Sequence, residues 1–260
     1  MKQTGAMARP FIAFAALLAL AGASAMPTHA QDDLAARMAR DSVGDIQPGE
    51  YAAGDNVRFA LVPSNGNFLL RFDGNPEVFV LYTDHASLGG RVLKYDSGTT
   101  ALQVSSWGGV TLYTDAKPNG LPAVRDSDAP PVALAQISLS QLQAAALDET
   151  EHLAYTRKLT LNFTADWNDV SASPVLRALC YDTLENAAHG IERFAASAPA
   201  RAAIAARISV VQIAMGKKPT IALRAKTLTV TYNPDHGFVG RASSRAIAHA
   251  LGTVLGVKGG

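Results

Sequence analysis

From Asn56 onward, apolar and polar side chains alternate in short runs that turn residues interrupt. "NVRFALV" (56–62) meets "NFLLRFD" (67–73) across Pro63-Ser64-Asn65-Gly66, and "EVFVLYTD" (77–84) follows Asp73-Gly74-Asn75-Pro76. "RVLKYD" (91–96), "TALQVSS" (100–106) and "VTLYTD" (110–115) continue the series, with Ser97-Gly98 and Trp107-Gly108-Gly109 between them. Period-two runs separated by Gly, Asn and Pro predict antiparallel strands joined by tight turns. The pattern predicts a β-meander of about six strands over 56–115.

The period then changes. "AKPNGLPAVRDSDAPPVA" (116–133) is rich in Pro and Asp and reads as a long surface loop. "SLSQLQAAALDETEHL" (138–153) has helix-forming composition, with Ser138 or Ser140 available as a cap. "RKLTLNFTADW" (157–167) alternates, with Leu159, Leu161 and Phe163 on one face. A long helix follows from Pro174 to about Ala196, with Ser173 at the N-cap and the proline at the first helical position. "PARAAIAAR" (199–207) reads as a second helix leading into "ISVVQIAMG" (208–216). "TIALRAKTLTVTYN" (220–233) returns to the strand pattern, and "SSRAIAHALGTVLG" (243–256) closes as a helix capped by Ser243 or Ser244. "KTLTVTY" (226–232) and "KLTLNFT" (158–164) are alike enough to be expected as neighbouring strands. The class is α+β: an N-terminal antiparallel meander, then helices packed on a second set of strands in 134–260, the two halves sharing one core.

Ahead of this stands a different kind of segment. Lys2 and Arg9 precede the apolar run Phe11 to Ala23, and small-x-small sites end at Ala25 and Ala30. That is the pattern of a cleaved export signal over 1–30, with 31–55 as a lead-in that includes a short amphipathic helix. A periplasmic or secreted location is expected, with no membrane anchor after cleavage. Loss of Lys2 and Arg9 leaves 21 basic against 22 acidic residues. So even a balance gives no reason to expect nucleic acid as a partner. Cys180 is the single cysteine. It lies on one helical face with Leu176, Leu184, Ala187 and Ile191 and is expected as a small buried hydrophobe.

Candidate chemistry is sparse. The tetrad Leu-Tyr-Thr-Asp ends two runs, placing Tyr82/Asp84 and Tyr113/Asp115 in equivalent positions. Asp at a strand end caps the following turn and Tyr packs on a half-buried pleat, which accounts for both copies. The competing reading is a composite acid–base site from Asp84, His85 and Asp115, or from Asp235 and His236. "TYNPDHGFVGRASSR" (231–245) puts Arg241 and Ser243 at a helix start, where unpaired N–H groups would favour an anion. Trp107 is expected to anchor its turn, and is the aromatic best placed to stack on a ligand. Asn162-Phe163-Thr164 is a glycosylation sequon within an expected strand. Nucleophile-elbow, phosphate-loop and dinucleotide-binding spacings are missing, and the histidines lack metal-ligand spacing, so neither cofactor nor metal is expected.

"LQVSSWGGVTLYTDAKPNGLPAVR" (102–125), together with "NPDHGFVGRASSRAIAHALG" (233–252), resembles a family of exported proteobacterial proteins known as a domain of unknown function. The resemblance implies export and carries over no catalytic residue. The leading functional expectation is an exported, non-enzymatic protein that binds a ligand or serves the envelope. A secreted hydrolase with an Asp/His site is the alternative, and an inhibitor or adaptor presenting 116–133 is the third.

Overall fold

Six strands form where alternation predicts them: β2 (Val57–Ser64), β3 (Asn67–Phe72), β4 (Val78–His85), β5 (Arg91–Tyr95), β6 (Thr100–Val104) and β7 (Val110–Thr114). The computed structural model describes residues 46–86 and 89–257. The expected signal, 1–30, and the first part of the lead-in, with its expected helix, lie outside the described residues. Two further strands turn the meander into a closed barrel: β1 (Gly49–Ala53) and β8 (Lys117–Ser127). Every neighbouring pair is antiparallel, and β1 pairs β8 to complete the circle.

Both closing strands lie in segments read as irregular from sequence, one in the lead-in and one in the Pro/Asp-rich loop. β8 pairs β7 through its first half and β1 through its second, from Ala123. Pro118 and Pro122 fall in the first half, where a missing N–H can face the open side without losing a ladder bond. Of the expected loop, 128–133 remains irregular and Ala116 lies in the turn before β8.

The barrel is full. Alternate side chains of its strands point inward, and Leu61, Leu70, Leu81, Leu93, Leu102 and Leu112 are fully buried. Aromatic rings run across five strands: Tyr51 stacks on Phe59 at 5.1 Å, and Phe59, Phe72, Phe79 and Tyr95 follow with centroids 5.3–6.2 Å apart. Eight strands leave an interior that side chains can fill, and here they do.

The second half is a four-stranded sheet with helices. Its strands are β9 (Asn162–Ala165), β10 (Val210–Met215), β11 (Thr220–Arg224) and β12 (Thr227–Tyr232), in the order β11-β12-β10-β9. The likeness between "KTLTVTY" and "KLTLNFT" does not make them neighbours, because β10 lies between and pairs in parallel with both. A central parallel strand is buried on its helix-facing side, and the alternating Val211 and Ile213 of β10 meet that need. Helices α1 (Leu139–Arg157), α2 (Trp167–Ser171), α3 (Pro174–Phe194), α4 (Ala198–Arg207) and α5 (Ser244–Leu255) belong to this half. Ser138 caps α1 in a capping box with Gln141, and Ser173 and Ser243 cap α3 and α5. Leu159, Leu161, Phe163 and Cys180 are buried in this second core, where burial pushes the Cys180 thiol up to about 12. Asn162 opens β9 and is exposed.

The two halves keep separate apolar cores rather than one. A small third cluster joins them, in which Leu69, Val78 and Val80 on the outside of β3 and β4 meet Val132, Phe238 and Val239. The last two belong to a three-ten helix, Pro234–Gly240. Its end turns back so tightly that a Cβ on Gly240 would collide with the Asn233 carbonyl oxygen.

Trp107 does not anchor its turn. The turn closes through its own backbone, Ser105 N–H to the Gly109 carbonyl at 2.8 Å and Gly108 N–H to the Ser105 carbonyl at 3.0 Å. The indole stands 83% exposed. Leu102→Ala is therefore expected to cost about 2–5 kcal/mol in urea unfolding, and Trp107→Ala to stay within about 0.5 kcal/mol. A comparable loss in both would put the indole back into the core.

Candidate functional site

Successive barrel strands run in opposite directions, so the turns fall alternately at two ends. The connections 73–77, 96–99 and 115–116 share one end, and each carries a carboxylate that meets the helical half. Glu77 Oε1 accepts the Ser244 N–H at 2.8 Å, and Oε2 accepts the Ser244 hydroxyl at 2.7 Å. Asp96 Oδ2 accepts the Ser243 N–H at 2.7 Å, and Oδ1 accepts the Ser243 hydroxyl at 2.5 Å. Asp115 lies between two guanidiniums, paired with Arg193 of α3 and, at 2.8 Å, with Arg245 of α5.

Helix physics explains the first two contacts. The opening N–H groups of a helix have no intrahelical acceptor and carry partial positive charge. In α5 the Ser243 hydroxyl takes the Ala246 N–H at 3.2 Å, and the N–H groups of Ser243 and Ser244 go to the barrel. The helix start read as an anion site thus holds anions, and they are the chain's own. Arg241 is 4% exposed, donates Nη2 to the Val78 carbonyl at 2.9 Å and places Nε 3.3 Å from Asp182. Burial raises the Glu77 carboxyl above its usual range, against the pull of the Ser244 bonds, Arg241 and His189. With both oxygens accepting from Ser244, the geometry is that of a carboxylate.

The two tetrads occupy opposite barrel ends. Across the ladder, Asp84, Val92, Gln103 and Thr111 form one row, so Asp115 lies four residues further along β7. At about 3.3 Å per residue that is roughly 13 Å. Asp84 accepts from Lys94 at 2.7 Å and from the His85 N–H at 2.8 Å, and these contacts hold its carboxyl below the usual range. Tyr113 donates to Gln103 at 3.0 Å, and Tyr82 lies opposite Lys94. Asp235 and His236 are exposed on the three-ten helix, with the Asp235 N–H capped by Asn233. His85 and Asp115 do line one open trough on the outer barrel face, together with Tyr113 and Arg245. Partial burial pushes the Asp115 carboxyl up, but Arg245 and Arg193 outweigh it and hold it below the usual range.

Several recesses flank the seam. A groove of about 680 Å³ runs between the barrel end and α5, with Asp115, Arg193, Arg245 and His249 at its polar side and Phe194 and Ala248 on its floor. A smaller cleft of about 300 Å³ is lined by Glu77, Tyr181, Asp182, Glu185, His189 and Arg241 among others. Burial there raises Glu185 to about 7, and the nearby Glu149, Asp182 and Asp148 push the same way. Glu77, Asp96, Glu185 and Arg193 are not legible as site residues in the sequence, because each, taken alone, looks like an ordinary turn or helix-surface residue. The available signal was the recurrence of an acid at every second turn of the meander.

A family model described as "Domain of unknown function (DUF4908)" matches residues 29–251. No curated protein and no solved structure matches the chain.

The acid cleft makes stability depend on pH. Glu185 has a folded value of about 7 against an ordinary 4.5, so the folded state binds its proton more tightly than the unfolded state. That contribution is complete below about pH 4.5 and is lost as pH rises through about 7. Glu185→Gln is expected to melt with the parent at pH 4.5 and a few degrees above it at pH 8, at about 2–4 °C per kcal/mol. An equal difference at both pH values would show that the cleft does not strain this carboxylate.

Proposed function

We propose that this chain, which belongs to the DUF4908 family, is an exported protein that binds a small molecule on the outside of its barrel without turning it over. The basic start, the apolar run Phe11 to Ala23 and the small-residue sites at Ala25 and Ala30 support export to the periplasm or beyond. Cys180, the single cysteine, is buried and needs no partner in an oxidising space. Among the described residues no helix is long and apolar enough to cross a membrane.

The observation that carries the binding reading is the groove between the barrel end and α5. Its volume of about 680 Å³ lies within the range of about 300–1,000 Å³ common for small-molecule sites. Its walls combine an apolar floor with a few convergent charged groups, the usual composition of such sites. The filled barrel interior leaves the outside as the place for a ligand.

The hydrolase alternative draws on the trough shared by His85, Asp115 and Arg245. A carboxylate held down by two guanidiniums is a poor base near neutral pH, which weakens that reading. The adaptor alternative loses most of its segment, since 117–127 is barrel wall.

Native mass spectrometry of mature protein purified from the periplasm tests the proposal. One small molecule per chain is expected, and Ala248→Phe, which fills the groove floor, is expected to lose it while keeping its melting temperature. A ligand retained by Ala248→Phe would place binding elsewhere. Conversion of the released molecule by fresh protein would replace binding with catalysis.

A further inference from the structure

Arg193 and Arg245 both stand at the groove and share a single carboxylate, Asp115. Two guanidiniums face one carboxylate, and each contributes Nη1. The burial is uneven: the Arg245 side chain is 14% exposed, while that of Asp115 is 59% exposed. Arg245 is held in place from behind, its guanidinium lying over the Tyr95 ring at 4.4 Å. Asp115 lies on the short connection between β7 and β8, at the outer side of the cluster. His249 follows Arg245 by one helical turn on α5 and lines the same groove, as do Ser97, Thr99 and Thr253.

Resting on the binding reading above, we infer that Arg193 and Arg245 form an oxyanion clamp and that Asp115 is its built-in occupant, displaced when a ligand with a carboxylate or phosphate head enters the groove. Guanidiniums take carboxylate and phosphate oxygens in the same fork geometry, so an internal carboxylate is a chemical stand-in for either. The apolar side chains of Phe194, Ala248 and Val257 would receive the ligand's body, and Ser97, Thr99 and Thr253 line the same groove. In this arrangement apparent affinity is the difference between the ligand's and Asp115's interactions with the clamp. An internal competitor lowers apparent affinity by the fraction of time it leaves the clamp open.

Titration calorimetry with phenyl phosphate, a phosphate head on an apolar ring, distinguishes the possibilities. Asp115→Asn removes the competing charge and is expected to bind at least about tenfold more tightly than the parent chain, a difference of about 1.4 kcal/mol. Arg245→Gln in that background is expected to cancel the gain. Melting curves verify folding, and Asp115→Ser serves if Asp115→Asn does not fold. If Arg245→Gln weakens binding to the parent chain but Asp115→Asn does not tighten it, the groove reading stands and the competitor role is wrong. If Ala248→Phe abolishes binding while Arg245→Gln leaves it unchanged, the groove is right and the clamp is wrong. Binding by none of the variants overturns the oxyanion assignment.

Discussion

The start of helix α5 is where the two halves of the molecule are fastened. A helix opens with N–H groups that need acceptors, and here the N–H groups of Ser243 and Ser244 find theirs in Asp96 and Glu77 of the barrel. Each serine adds its hydroxyl to the same carboxylate. Glu77 is 7% exposed, and a carboxylate so deeply buried is costly unless hydrogen-bonded. The contact is therefore specific: sliding the barrel by one residue would leave a buried acid and helix N–H groups without partners. Gly190 of α3 reinforces the position of α5, since a Cβ there would come within 2.8 Å of Ile247.

Much of the architecture could be read from the chain. Six barrel strands, the helix from Pro174 and its Ser173 cap, and the buried face of Leu159, Leu161 and Phe163 all follow from local periodicity. Closure could not be read this way. β1 is a five-residue strand just ahead of the first strong alternation, and β8 carries Pro118, Pro122 and Gly120. Their pairing spans most of the barrel sequence, so neither strand shows its partner locally. The order of the second sheet was hidden for a related reason: likeness between two strands reports a shared burial pattern, while adjacency depends on the crossover that puts β10 between them.

The polar residues followed the same division. Asp84 as a strand-end residue needs only Lys94 and the His85 N–H, both close in sequence. Asp115 occupies the equivalent position in the second tetrad, yet its partners are Arg193 and Arg245, far along the chain. Identical local sequence thus serves a surface strand end in one copy and the inter-half seam in the other. The difference arises from strand direction: the two tetrads run toward opposite ends of the barrel, and one of those ends faces the helices. Trp107 shows the converse, an aromatic beside tight-turn glycines that the turn itself does not need. With the barrel interior filled by its own aromatic and leucine side chains, the charged groups collect at the seam, where carboxylates of the barrel meet arginines and serines of the helical half.

The fastening at α5 is tested most directly by a double-mutant cycle on Glu77 and Ser244, read by urea unfolding of Glu77→Ala, Ser244→Ala and the pair. A coupling of about 1.5–3 kcal/mol is expected, the size of a hydrogen bond to a charged group. Additivity within about 0.5 kcal/mol, with Glu77→Ala alone costing no more than that, would mean that neither the hydroxyl nor the N–H of Ser244 is held by Glu77 and that something else joins the barrel to the helices.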